Sequence, residues 1–514
     1  MTAPTAAPRS ARTRISILRV GIVLLCTAAL GWVGLQAVSA LVTTTVVPGP
    51  SAFAAYVDVT ATPTYPFETP SGPAQASVIL SFVVAGPEDH CTPMWGGAYT
   101  LDQAASDLQL DRRVSQLQVT GGQAAVSFGG ARGDELASTC TDPEALSEAY
   151  RSVIDRYELT SIDLDLEGAS LENTAAAARR AAAIKEVQTR MTTEGRRLAV
   201  WLTLPVSPNG LTDPGRAVVA GMLSAGVNLA GVNGMTMDFG TGTSPGKPIS
   251  GVVIQAATAL HAQVRAAFAQ SGSPLGDADA WGKVGITPMI GQNDIAAERF
   301  TLTDAGVVNQ FARTKGVGAL SMWSLNRDST CGPPLPAVLS VVQTSCSGID
   351  QGTQRFAKVL AADLTSAPLP STAAPSDEGR SAAPTPNVAD DPAHSPFPIW
   401  DPMGAYAGGT KIVWHHQVFQ ARFWTTGFAP DTPVANAQDS PWSLVGPVLP
   451  DDTPAPLPGL PAGTYPQWDP TRAYGAGSRV QLALVPYEAK WWSKGQKPGV
   501  SAAGGAPWVL IMAN

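Results

Sequence analysis

The 514-residue chain carries little charge: Asp, Glu, Lys and Arg make up 14% of it, against about a quarter in an average globular sequence. What charge there is sums to −8, and no Lys/Arg cluster occurs beyond the N-terminus. That argues against a nucleic-acid-binding surface. Histidine is scarce, with 5 residues, and no Cys-x-x-Cys or Cys/His spacing exists. No metal site and no cofactor are therefore expected. Cysteine is equally sparse. Of 5 in all, Cys26 lies in an apolar run, leaving Cys91, Cys140, Cys331 and Cys346. Four cysteines allow three pairings; Cys91 with Cys140 and Cys331 with Cys346 close the shortest loops. In an oxidising compartment disulfides are the expected state, and a loop the size of the second contributes about 3 kcal/mol in the chain-entropy model.

What is abundant at the start is apolar. Arg9, Arg12, Arg14 and Arg19 precede an uncharged run from Val20 to Val47. Residues 1 to 45 therefore read as an export signal. The small residues Val38-Ser39-Ala40 offer a cleavage site, while the run is also long enough to anchor the chain in a bilayer. Both readings place the rest outside the cell, secreted or held on the outer face of the cell membrane.

Between residues 52 and 348, short β-prone runs alternate with helical patterns. The runs are AAYVDV (54 to 59), SVILSFVVA (77 to 85), AAVSFGG (124 to 130), SIDLDLE (161 to 167), LAVWLTL (198 to 204), GVNGMTMDF (231 to 239), KVGITPMI (283 to 290) and GALSMWSL (318 to 325). In DPEALSEAYRSVIDRYEL, Thr141 or Asp142 can cap a helix that puts Leu146, Tyr150, Val153, Ile154 and Tyr157 on one face. Eight strands with intervening helices predict an α/β fold, a (β/α)₈ TIM barrel. A doubly wound sheet is the competing layout, but no glycine-rich phosphate fingerprint follows the first strand.

Residues 364 to 395 are rich in Pro, Ala, Ser and Thr and read as a linker. An internal repeat follows. WDPMGAYAGGTKIVWHHQVFQARFWTTG from Trp400 matches WDPTRAYGAGSRVQLALVPYEAKWWSKG from Trp468, and each copy closes on Pro-Trp, at Trp442 and Trp508. Two small all-β modules are expected, at 396 to 446 and 465 to 514, joined by a second proline-rich spacer at 447 to 464.

SIDLDLE alternates apolar residues with acids. In a strand, Asp163, Asp165 and Glu167 project to one side and Ile162, Leu164 and Leu166 to the other. In a barrel the apolar set meets the helices and the acids face inward. Three carboxylates about 6.6 Å apart along the backbone cannot all ionise in a low dielectric. Glu167, last in line, is nearest the C-terminal rim where barrel active sites are built, and a protonated carboxyl there is a general acid.

SIDLDLE resembles the end of the DGxDxDxE signature of glycoside hydrolase family 18. Ser127-Phe128-Gly129-Gly130 is similar to that family's SxGG motif, MTMDFG (235 to 240) to its MxYD motif, and Met322-Trp323 to its strand-8 tryptophan. TPMIGQND (287 to 294) and SMWSLNRD (321 to 328) further resemble a bacterial and archaeal chitinase subgroup. The resemblance implies a chitinase acting on N-acetylglucosamine polymers, with Glu167 as acid/base, Asp165 orienting the substrate N-acetyl group and Asp163 sharing its charge. It implies Trp323 as the floor of the cleavage subsite and Ser127 as a ligand-side residue. Two positions depart from the pattern. Thr160-Ser161 stands for Asp-Gly, and Met237 stands where many members have a tyrosine, so Asp238 or Gln292 is expected to supply the missing donor. Alternatives are an endo-β-N-acetylglucosaminidase on glycan or peptidoglycan, and a non-hydrolytic chitin-binding lectin.

The C-terminal copies resemble carbohydrate-binding modules of families 5 and 12. Tyr406, Phe423 and Trp424 in the first, and Tyr474, Trp491 and Trp492 in the second, are the expected binding surface. Two weak modules on a flexible tether raise affinity for an insoluble polymer through effective concentration. A monomer is expected.

Overall fold

The computed structural model describes residues 52–240, 248–364, 390–391, 394–454, 459–499 and 507–511. Residues 1 to 45, expected to be an export signal, most of the linker at 364–395 and part of the spacer at 447–464 lie outside the described residues.

Each of the eight β-prone runs contributes to one sheet. Its parallel members are β1 (Ala52–Phe53), β2 (Ala55–Asp58), β3 (Ser77–Ala85), β4 (Gln123–Gly129), β5 (Ser161–Asp165), β6 (Ala199–Ser207), β7 (Leu229–Met235), β8 (Val284–Thr287) and β9 (Ala319–Leu320). From β3 to β9 every strand pairs with the next in parallel. The first segment joins the two ends: β1 pairs with β9, and β2 pairs with β3. Its ladder breaks at Ala54, so the arrangement is TIM-barrel-like rather than an uninterrupted closed ladder.

Helices cover the outside because their apolar faces have nowhere else to go. α1 (Leu101–Asp107) and α2 (Leu110–Val119) follow β3, and α3 (Pro143–Arg156) follows β4. The Asp142 side chain accepts from the Ala145 amide and caps α3, and Leu146, Tyr150, Val153 and Ile154 are buried on its inner face. α4 (Thr174–Thr193) and α5 (Asp213–Ser224) are capped in the same way by Asn173 and Thr212. Ile162, Leu164 and Leu166 are fully buried in the large core between strands and helices. A second, smaller core fills the lumen: Ala54, Tyr56, Ile79, Ala125, Trp201 and Ala319, with Phe82 and Trp323 packed on it. The Trp201 ring lies against the backbone of β7, so that a side chain at Gly231 would collide with it.

Both expected disulfides are present, Cys91 with Cys140 and Cys331 with Cys346. Each C-terminal copy builds a three-stranded antiparallel sheet. In the first it is β10 (Lys411–Trp414), β11 (Gln417–Ala421) and β12 (Trp442–Pro447); in the second, β13 (Arg479–Leu482), β14 (Val485–Ala489) and β15 (Trp508–Leu510). Small units spend aromatics on their cores. Tyr406 packs edge-on against Trp442, and Tyr474 against Trp508. Both tyrosines are buried, and their hydroxyls accept from the Asp401 and Asp469 amides. This corrects the expectation that Tyr406 and Tyr474 belong to a binding surface.

Candidate active site

The acids of β5 sit as the strand alternation requires. Asp163 and Asp165 are buried in the lumen, while Glu167, just past the strand, is half-buried at its C-terminal end. Parallel register brings their partners level: Ser127 lies opposite Asp163, Thr203 opposite Asp165, and Asn233 opposite Thr203.

Asp163 accepts three hydroxyl hydrogen bonds, from Tyr56 at 2.9 Å, Ser127 at 2.7 Å and Thr203 at 2.6 Å. The network continues outward. Asn233 Nδ2 donates to Thr203 Oγ1 at 3.0 Å, and Thr287 Oγ1 donates to Asn233 Oδ1 at 2.9 Å. Burial pushes the Asp163 carboxyl up to about 6, and the hydroxyl donors hold it from rising further. Asp165 has no such support: its Oδ1 is buried without a hydrogen-bond partner among the described residues. Burial raises its pKa well above the carboxylate range, and the charges of Glu167 and Asp163 raise it again. Glu167 is raised by burial as well. Of the two lumen acids, Asp163 is thus the one fitted to carry the charge and Asp165 the one fitted to hold the proton.

The glycine pair after β4 fits this strand geometrically. Gly129 has φ 104°, and a Cβ there would collide with the Asp165 carbonyl oxygen. The Gly130 amide donates to that same oxygen at 3.0 Å, while a Cβ at Gly130 would lie 2.8 Å from the Phe82 ring. Beside the acids, Trp323 is half-buried and stacks on Phe82, with centroids 5.4 Å apart and planes 22° from parallel. Tyr56 lies 6.0 Å from Trp323. The result is an apolar floor next to a line of carboxyls.

Two expected ligand-side residues are placed elsewhere. Ser127 is wholly buried and serves Asp163. Gln292 is also wholly buried; its amide donates to the carbonyls of Asn293 and Glu298, and its oxygen accepts from Arg299. It organises the hairpin of Gly291–Gln292 and Arg299–Phe300 and has nothing left for a ligand. Met237 is half-buried near the rim. Asp238 accepts from the Ile295 amide at 3.0 Å and keeps part of its carboxyl accessible, with its pKa raised by burial.

Tyr56, Phe82, Thr203 and Asn233 are site residues that strand reading alone overlooked. Their signal was available in inward parity, but only once the register between strands was known. Arg327 was overlooked too. It is buried and donates to the Gln292 carbonyl at 2.6 Å and the Gln343 carbonyl at 2.8 Å, tying the rim hairpin to the disulfide loop. Burial pushes it down to about 10. Among the described residues, no group of three His, Cys, Asp or Glu side chains is placed to hold a metal ion.

In the modules, Phe423, Trp424, Trp491 and Trp492 are exposed, Trp424 at 63% and Trp492 at 65%.

No protein-family model matches the chain. It is 36% identical over 262 residues to a probable bifunctional chitinase/lysozyme of Escherichia coli (strain K12), covering 50% of this chain and 28% of that protein. It is 36% identical over 239 residues to endochitinase 11 of Metarhizium anisopliae, covering 45% and 44%. The chain thus spans less than half the length of these curated relatives. Among solved structures, the catalytic domain of the hyperthermophilic chitinase from Pyrococcus furiosus matches with a TM-score of 0.52 at 28% identity, over 61% of this chain and 94% of that one. In sequence and in fold, this α/β chain is similar to chitinase catalytic domains.

Proposed function

We propose that the protein is an exported family 18 chitinase that hydrolyses β-1,4 links between N-acetylglucosamine residues with retention of configuration. The observation that carries this reading is the graded line of acids: Asp163 saturated with hydroxyl donors, Asp165 unsupported, Glu167 at the rim. Glu167 gives its proton to the glycosidic oxygen as the bond to C1 breaks. The substrate's own N-acetyl carbonyl oxygen attacks C1, so no enzyme nucleophile is required. Asp165, holding a proton beside ionised Asp163, donates a hydrogen bond to the N-acetyl group and steadies the positive charge that forms on it. Water then opens the oxazolinium ion, its proton returning to Glu167. Trp323 and Phe82 form the floor under the sugar. With Met237 lacking a donor and Gln292 occupied, Asp238 remains as the rim group near the N-acetyl site.

Export rests on the arginine-flanked apolar N-terminus, and the protein acts outside the cell as a monomer. The C-terminal copies act as carbohydrate-binding modules of the family 5 and 12 kind, with Phe423, Trp424, Trp491 and Trp492 meeting the polymer. A second reading, cleavage of peptidoglycan, is supported by the name of the Escherichia coli relative. Reducing-sugar release from colloidal chitin and from peptidoglycan, with Glu167→Gln as control, separates the two. No turnover of either substrate sinks the enzyme reading, and retained binding to chitin would leave a lectin.

A further inference from the structure

The outer face of α2 carries Arg112 and Gln116, and both are buried. Polar residues on the outside of a barrel helix belong in water; the first C-terminal module covers these. Gly446, in β12, comes so near α2 that a Cβ there would lie 2.6 Å from the Arg112 carbonyl oxygen and 3.1 Å from the Gln116 Cβ. Only a glycine permits that approach without a shift. The Arg112 guanidinium meets Asp452 in a two-pronged pair, Nη1 to Oδ2 at 2.9 Å and Nη2 to Oδ1 at 2.8 Å. Its Nη1 also donates to the Pro447 carbonyl and its Nε to Gln109 at 3.2 Å. Asp452 in turn accepts from the Leu449 amide at 2.6 Å, fixing the turn that carries it. The pair is nearly dry, at 6% and 12% side-chain exposure. Lys411, in β10, feels both Arg112 and Asp107 at the end of α1.

We propose that the α1–α2 face of the barrel is a docking surface for the first module, and that Arg112, paired with Asp452 in the spacer just past β12, clamps the module there. The module then presents Phe423 and Trp424 at one fixed spacing from the acids of β5, instead of sampling the volume a free tether would allow. A planar, bidentate and desolvated pair over a glycine contact fixes orientation as well as proximity. A tethered module raises only the local concentration of polymer. A clamped one also sets which stretch of chain reaches the cleft. The clamp stands apart from the catalytic reading; its consequence for polymer hydrolysis rests on that reading.

The experiment uses the full-length chain with Arg112→Glu, Asp452→Arg and the double exchange. Small-angle scattering and amide hydrogen exchange over α2 report docking. Soluble oligomer and colloidal chitin report activity. Each single reversal is expected to lengthen the maximum dimension and to speed exchange of the α2 amides by about tenfold or more. Polymer hydrolysis is expected to fall several-fold with soluble-oligomer turnover unchanged, and the double exchange to restore all three. Should a reversal fail to fold, Asp452→Asn supplies a milder release. Unchanged scattering and exchange in the single variants would overturn the clamp. Changed scattering with undiminished polymer hydrolysis would overturn its functional role. If the intact protein turns over neither substrate, the catalytic reading fails while scattering and exchange still judge the clamp.

Discussion

The barrel lumen and the module surfaces use overlapping residue types to opposite ends. In the lumen, Tyr56 is buried because its hydroxyl has work to do, and Asp163 is surrounded by donors. In the modules, Trp424 and Trp492 stand in solvent, while Trp442 and Trp508 of the same repeats are buried. Proton chemistry needs carboxyls in a dry, pre-arranged setting, where burial and neighbouring charge move their pKa values. Holding a long polymer needs flat apolar faces that open onto water. The two regions should therefore be separable, each failing without the other. The sharpest break is Glu167→Gln. On the proposed function it removes the transferable proton and nothing that holds polymer, so turnover is expected to fall by about 10²–10⁴-fold while binding to colloidal chitin is unchanged. Parallel loss of binding would mean that the acid line also holds the substrate.

A second break stays inside the lumen. Thr203 donates to Asp163 at 2.6 Å and favours its ionised form. Thr203→Val removes that donor, so the pKa of the Asp163–Asp165 pair must rise. The acidic limb of the pH–rate profile should then move to higher pH. A hydrogen bond to a charged group contributes about 1.5–3 kcal/mol, which corresponds to about one to two pH units. The module surfaces should be untouched. An unmoved limb with a reduced plateau would give Thr203 a packing role only.

These contrasts also mark what was legible in the sequence. Asp163, Asp165 and Glu167 were readable because period-two alternation and burial on both faces of a barrel strand leave one arrangement for SIDLDLE. The α3 boundary was readable because Asp142 and Pro143 act locally. Tyr56, Thr203 and Asn233 were not, because their roles arise from register across β2, β5, β6 and β7, which no single strand encodes. Ser127 and Gln292 were placed on the ligand side by motif likeness, and their hydrogen bonds are spent inside the fold. Phe423 and Trp424 were grouped with Tyr406 by composition alone. Only the sheet shows that Tyr406 closes a core with Ile412, Ala421 and Trp442. The proposed docking of the first module has a trace in the repeat: Gly446 in the first copy corresponds to Met512 in the second.

On the module side, Trp424→Ala is expected to weaken binding to colloidal chitin by about 1–2 kcal/mol, roughly 5- to 30-fold in Kd. Soluble-oligomer turnover and its pH profile should stay as they were. Trp492→Ala tests whether the second module contributes equally, since its ring is as exposed. A larger loss in Trp424→Ala would say that the first module does more of the holding, and a larger loss in Trp492→Ala that the second does. Loss of soluble-oligomer turnover in either variant would merge the two regions.

The smallest expected effect is the one that most directly tests the boundary between module core and module surface. Tyr406→Phe keeps the ring that packs on Trp442 but removes the hydroxyl that accepts from the Asp401 amide at 2.6 Å. That amide loses its partner, at a cost of about 1 kcal/mol. Polymer binding should not change, because the edge of Tyr406 that a ligand would need is turned inward. Thermal or denaturant unfolding followed through the tryptophans reads the first quantity, and pull-down on colloidal chitin reads the second. A loss of binding larger than the loss of stability would return Tyr406 to the binding face, and would mean that exposure of a ring is a poor guide to what these repeats hold.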